Sequence, residues 1–338
     1  MSNAPASGTK TRVFSGMQPS GEAHLGNYLG ALKRWVEMQD THQCIWCIVD
    51  DHAITAGGNP KDMPQNVFDL AVSFLAVGLD PAKAILFVQS DVHEHTELAW
   101  LFNAVTPVGD LERMTQYKDK SQRFESVPAG ILNYPILQAA DILVYKADAV
   151  PVGEDQRQHL ELTREIARKF NTAYGRTFPE PDAIIGSAGK ILGLDGDAKM
   201  SKSLGNTVGI LADPDEVWAR VRTAVTDPQR VRRNDPGRPE VCNGYSLHGF
   251  FTDDATRADI DTRCRAGEIG CVDCKRILAD NVAEAFAPFR ERAAYYRANP
   301  GEVRRVLDEG AEKARTIAGS TLTEVRQRMG LDWREALR

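Results

Sequence analysis

The sequence has no run of about 18 apolar residues, so nothing in it reads as a membrane-spanning helix. Residues 1–10 (MSNAPASGTK) lack the apolar stretch of a secretion signal, and a cytoplasmic location is expected. Neither GxxxxGK followed by Ser or Thr nor GxGxxG occurs, which removes the two commonest phosphate-cradling loops. No HExxH helix surrounds His93 and His95, so both are read as loop histidines rather than metal ligands. No internal repeat or low-complexity tract is present. Cysteine is scarce: six, without a secretion signal, argue against a disulfide framework. Excess charge is also missing. A net charge of −6 neither points to nor excludes a nucleic-acid partner, because phosphate binding needs local positive charge rather than a positive total.

What is present is enough apolar material, 42% of 338 residues, for one large domain and a smaller one. Short β-branched runs alternate with longer helical patterns, the mark of a parallel sheet flanked by helices. Strands are predicted at residues 13–17, 44–49, 84–88 and 149–152, and helices at 25–36, 63–77, 129–145 and 155–170, the last ending at Asn171. Between 179 and 209, glycine, proline and charge replace periodicity and predict loop. From Asp213 the pattern is helical to the end, with Asp213 and Asn299 each preceding proline as helix N-caps. The expected fold is α/β: a Rossmann-type parallel-sheet domain over residues 11–208, then a smaller all-helical domain over 209–338. Arginines gather at 220–238 and 290–305 with acids interspersed, as on solvated helix faces.

Two segments carry phosphate chemistry. After the first strand come Gln18-Pro19-Ser20-Gly21 and His24-Leu25-Gly26-Asn27. Gly21 and Gly26 let backbone approach a ligand, the N–H groups opening the next helix face an anion, and His24 and Asn27 add neutral donors. Far downstream lies Lys199-Met200-Ser201-Lys202-Ser203, flanked by Gly196 and Gly205. Two ammonium groups on a loop can follow pyrophosphate as it leaves, stabilising charge greatest in the transition state.

His24 to Asn27 resembles the HIGH motif, and Lys199 to Ser203 matches the KMSKS motif, of class I aminoacyl-tRNA synthetases. Within that class the chain is similar to bacterial tryptophanyl-tRNA synthetases, through residues 14–21, 49–55, 112–116, 139–143 and 150–156, with 306–314 also alike. The resemblance implies ATP and Mg²⁺, L-tryptophan and tRNA(Trp) as reactants and partners, and a symmetric homodimer. By matched position, Gln18, Pro19, Ser20, Gly26, Asn27, Gly153, Glu154, Asp155, Ile191, Lys199, Met200, Ser201, Lys202 and Ser203 are expected to hold ATP. Gln18, His24, Asn27, Lys199 and Lys202 are expected to serve catalysis. Gly153 would admit the adenosine, Asp155 accept from a ribose hydroxyl, and Met200 brace the loop against adenine.

The resemblance makes Asp141 the acceptor of an indole N–H. The chemistry is sound: an ionised carboxylate only accepts, an indole nitrogen only donates, and a substrate without that donor leaves a desolvated charge unpaired. Phe14, Val49, His52, Gln116, Tyr134, Gln138 and Val152 are the matching pocket residues, with Gln18 and Tyr134 near the ammonium end. Gln138 stands where tryptophan enzymes commonly carry methionine, and Gln three residues before Asp resembles the tyrosyl enzymes, which form the near alternative. A non-catalytic nucleotide-binding relative is the other.

Cys242, Cys264, Cys271 and Cys274 have the spacing C-x21-C-x6-C-x2-C, a four-thiolate set suited to zinc or an iron–sulfur cluster, with free thiols as the remaining reading. Some tryptophanyl-tRNA synthetases carry a 4Fe–4S cluster on cysteines of similar spacing, so the resemblance favours the cluster. Cys44 and Cys47 sit in a predicted strand, where alternation sends them to opposite faces as core packing.

Overall fold

A computed structural model describes residues 10–55, 57, 59–122, 124–153, 156–186 and 191–337. Five strands form one parallel sheet: β1 Arg12–Met17, β2 Gln43–Ile48, β3 Ala84–Val88, β4 Ala149–Val152 and β5 Asp182–Ile185. Their spatial order is β3-β2-β1-β4-β5. The chain therefore adds strands outward to one side of β1 and then crosses to its other side. In such sheets ligands bind over the carboxyl ends of the strands where the order reverses, here β1 and β4.

Strand alternation divides the apolar side chains between two faces. Val13, Cys44, Trp46, Ile48, Ala84, Leu86, Val88 and Ala149 share one core cluster, and Phe14, Ile45, Cys47, Phe87 and Val150 the other. Cys44 and Cys47 thus part as expected, both buried. Trp46 stacks on Trp35 at 4.7 Å, tying β2 to the first helical layer.

Helical periodicity located the major helices, with differences at their ends. Residues 25–38 are helical throughout, but Tyr28–Leu32 winds as a π-helix. The helix expected to end at Asn171 runs Arg157–Tyr174 and stops at Gly175, whose φ of 93° is open to glycine. β5 was expected to be loop. Its residues are mostly exposed at the sheet edge, so no hydrophobic alternation marks it.

The helical pattern after Asp213 is also interrupted. Pro214–Val221 is helical, with Asp213 accepting from the Glu216 N–H at 2.8 Å, but residues 222–238 are irregular. There the buried Asp227 carboxylate gathers the Gln229 and Arg238 backbone N–H groups and the Arg238 guanidinium, an arrangement that competes with helix. Asn299 precedes the Pro300–Arg328 helix but makes no side-chain cap; its amide donates backward to the Tyr295 carbonyl.

The core does not stop where the sheet does. Val217, Leu247, Leu278, Phe286, Val303 and Val306 join the Val13 cluster, while Ala311, Ala314, Ala318, Leu322 and Val325 join the Phe14 cluster. The Pro300–Arg328 helix accordingly packs along β3 at the sheet edge. Small residues make that approach possible: a Cβ on Gly310 would collide with the Leu86 carbonyl oxygen. Among the described residues no helix is long and apolar enough to cross a membrane.

Candidate active site

Over the carboxyl ends of β1 and β4 lies a cavity of about 760 Å³. Gly16 at the end of β1 lines it in close contact with Val49, where a Cβ would sit 2.6 Å from a Val49 methyl. At one end His24 caps the helix that starts at Leu25. Its Nδ1 accepts from the Asn27 N–H at 3.3 Å, and the Asn27 side chain accepts from the His24 N–H at 3.1 Å. With Nδ1 occupied as acceptor, the proton of the neutral ring resides on Nε2. Burial, and then the charges of Lys202 and Lys199, lower the His24 pKa to about 4. At neutral pH this residue is an uncharged donor.

The distant lysine loop closes onto that helix start. Lys202 Nζ donates to the Ser20 carbonyl at 2.7 Å, beside Gly21, whose φ is 87°. A Cβ on Gly26 would stand 2.9 Å from Met200 Cβ and 3.1 Å from the His24 ring, so this glycine marks where loop and helix meet. The loop is braced by residues that no motif singled out. Asn206 accepts from the Ser201 N–H at 2.8 Å and donates to Asp195 at 2.7 Å. Arg220, one of the arginines read as surface charge, donates to the Thr207 carbonyl at 3.0 Å and also to that of Gly205.

Among the described residues the other end of the cavity presents one carboxylate. Asp141, on the Ala129–Leu143 helix, is 2% exposed and accepts from His52 Nε2 at 2.7 Å, His95 Nδ1 at 2.7 Å and Gln89 Nε2 at 2.6 Å. Burial alone would raise its pKa. The charge of His52 and hydrogen bonds from His52 and His95 outweigh burial and hold it at about 2. His95 is thereby corrected from loop histidine to a fully buried member of the Glu94–Asn103 helix; His93 is that helix's N-cap. Tyr134, whose pKa burial raises to about 12, points its hydroxyl at Gln116 (3.3 Å) and His159 Nε2 (2.9 Å), with Lys120 over its ring at 4.2 Å.

The cavity brings together Phe14, Gln18, His24, Gly26, Asn27, Val49, His52, Gln116, Tyr134, Gln138, Asp141, Val152, Gly153, Ile191, Lys199 and Met200, all expected from sequence. Pro19, Ser20, Ser201, Lys202 and Ser203 are not part of this lining. Glu154 and Asp155 lie outside the described residues. Lys120, Gln156 and Trp35 line the cavity without having been anticipated. A helix start with neutral donors beside a lysine loop, and a buried acceptor at the far end, suit a phosphate-bearing reactant beside a flat molecule with one ring donor.

The model of class I tRNA synthetases (W and Y) matches residues 6–287. The chain belongs to this family, on its bacterial tryptophanyl branch. It is 53% identical over 325 residues to a tryptophan–tRNA ligase of Deinococcus radiodurans, covering 95% of this chain and 98% of the relative. A tryptophan–tRNA ligase of Thermotoga maritima is 43% identical, with 95% and 99% covered. Among solved structures, the tryptophanyl-tRNA synthetase of Campylobacter jejuni complexed with ADP and tryptophan superposes with a TM-score of 0.86 at 37% identity, covering 95% of this chain and all of that one.

In this synthetase Cys242, Cys264, Cys271 and Cys274 lie apart from the cavity and are unpaired. They come from neighbouring elements: Cys242 before the Asn243–Phe251 helix, Cys264 in Asp254–Arg265, and Cys271 and Cys274 in Cys271–Ala285. Burial raises the Cys274 thiol to about 12, and the proximity of the other three adds to the rise. Cys274 Sγ lies 3.4 Å from His248 Nε2, and Arg230 points at Cys264 Sγ at 3.5 Å. The donor chemistry suits a four-thiolate group, but among the described residues no set of three or more His, Cys, Asp or Glu is arranged to hold a metal. Nearby arginines are largely occupied: Arg263 and Arg265 pair with Asp259 and Asp261 one turn away, and Arg276 covers the Trp218 ring at 3.9 Å.

Proposed function

We propose that this synthetase is a tryptophan–tRNA ligase, which joins L-tryptophan to AMP and passes it to tRNA(Trp). The observation that carries the reading is Asp141, a buried carboxylate held ionised at one end of a cavity whose other end is lined by His24, Asn27 and Lys199. Asp141 accepts the indole N–H, and a ring lacking that donor leaves its charge unpaired, which can reject analogues by roughly 10⁴-fold or more. The ammonium end lies toward Gln18 and Tyr134.

ATP enters as its magnesium complex, a reactant rather than a resident group. A tryptophan carboxylate oxygen forms a bond to the α-phosphorus in line with the bond to pyrophosphate, which breaks and takes its electron pair with it. His24 Nε2–H and Asn27 meet the phosphates as neutral donors, and Lys199 and Lys202 neutralise charge on the departing pyrophosphate. No side-chain nucleophile is needed. A hydroxyl of the terminal tRNA adenosine then attacks the acyl carbon and AMP leaves.

In the same reading residues 11–208 form the catalytic domain and 209–338 the helical domain that meets the anticodon. The enzyme works in the cytoplasm as a homodimer, and the four cysteines hold a 4Fe–4S cluster that fixes a loop at the tRNA. Support for the cluster is the resemblance of their spacing, together with the free state of all four thiols.

Pyrophosphate exchange with single amino acids tests the main reading. Exchange with tryptophan is expected. Exchange with tyrosine alone would transfer the chain to the sister specificity, for which Gln138 in the cavity lining speaks. No exchange with any amino acid would leave a nucleotide-binding relative.

A further inference from the structure

Asp141 is nearly closed to water, yet its two oxygens are used unequally. Oδ1 accepts from Gln89 Nε2 at 2.6 Å and His95 Nδ1 at 2.7 Å, whereas Oδ2 accepts from His52 Nε2 at 2.7 Å. Behind His95 stands Tyr145, its hydroxyl 2.6 Å from His95 Nε2. Both His95 and Tyr145 are 0% exposed, and neither belongs to the cavity lining. They do not touch a substrate.

An ionised carboxylate cannot donate, so the His95 proton facing it must be on Nδ1. In the neutral ring Nε2 is then an acceptor, and the donor must be the phenol. Aromatic neighbours fix both rings: Phe14 stacks on Tyr145 at 5.5 Å, and Phe87 lies 5.7 Å from His95 and 5.9 Å from Tyr145.

We propose that Tyr145 and His95 are positioning residues for amino-acid selection. Tyr145 O–H donates to His95 Nε2, locking the tautomer whose Nδ1–H, together with Gln89, occupies Oδ1 and leaves a lone pair of Oδ2 for the ring N–H of the substrate. The arrangement parallels the way a buried partner sets the tautomer of a catalytic or metal-bound histidine. It rests on the tryptophan reading above and adds to it which oxygen accepts and what holds that oxygen in place.

Pyrophosphate exchange by Tyr145→Phe tests the relay, comparing tryptophan with its benzothiophene analogue, in which ring sulfur replaces N–H. Loss of the phenol should lower kcat/KM for tryptophan about tenfold, mostly through KM, while leaving the analogue and the ATP KM unchanged. His95→Asn, whose amide nitrogen reaches the Nδ1 position, should retain more discrimination than His95→Leu. Equal falls for tryptophan and the analogue would reduce the pair to packing and overturn the proposal. Nitrogen NMR of the histidine-labelled wild-type enzyme gives an answer independent of any variant: a proton on Nδ1 with bare Nε2 is expected at His95. A proton on Nε2 overturns the relay. Absence of tryptophan exchange in the wild type would instead defeat the functional reading, whatever the tautomer.

Discussion

In the proposed mechanism Lys202 and His24 divide the phosphate work by charge state. Lys202 is held on the Ser20 carbonyl, and in the proposed mechanism its ammonium acts when charge builds on pyrophosphate. Lys202→Ala should slow adenylate formation by about 10²- to 10³-fold with little change in the KM for tryptophan, measurable by single-turnover kinetics. Equal losses in both would make the loop a structural element. His24 and His248 both have pKa values lowered to about 4, chiefly by burial. Above the ordinary histidine value of 6.5 both are neutral folded or unfolded, and no stability is at stake. As pH falls from there toward 4 the unfolded chain takes up protons first, so stability is lost across that window. Urea midpoints at pH 7.5, 5.5 and 4.5 should fall in that order, and His248→Leu should flatten part of the decline. Because His24 is already neutral, its titration should place no inflection between pH 6 and 8 in the exchange rate.

At the scale of elements, the joint between the first helix and the lysine loop and the joint between the last helix and β3 both depend on a missing Cβ. Gly26→Ala would push Met200 from the helix start, and the KM for ATP should rise while that for tryptophan stays near wild type. Gly310→Ala would drive the Pro300–Arg328 helix off the Leu86 backbone and cost about 1–3 kcal/mol, seen as a melting temperature lower by several degrees. An unchanged melting curve would show that the helix does not depend on this approach. Elements with buried apolar runs were legible: β3 and β4 occur where short apolar, β-branched runs put them. The edge strand β5 and the irregular residues 222–238 were not, since one lacks a buried face and the other is organised by Asp227 reaching across to Arg238.

At the scale of the whole molecule, the strand reversal between β1 and β4 creates the cavity, and the sheet's helical surroundings continue both core clusters into the C-terminal region. The cysteines of that region supply a test of their own. On the cluster proposal, anaerobically purified protein should contain about four iron and four acid-labile sulfide per chain, the composition of a 4Fe–4S cluster. Stoichiometric zinc would replace the cluster, and a metal-free, fully active preparation would leave free thiols. Sequence alone determined what depends on residue type and short spacing. It located the two glycine-flanked segments, the succession of parallel strands and helices, and the parting of Cys44 and Cys47, since each is written within a few consecutive residues. Tertiary structure alone decided who stands behind those residues. Gln89, His95 and Tyr145 behind Asp141, and Asn206, Asp195 and Arg220 behind the lysine loop, have no local signature. A hydrogen bond between side chains distant in sequence depends on where packing brings them, and only the folded chain determines that.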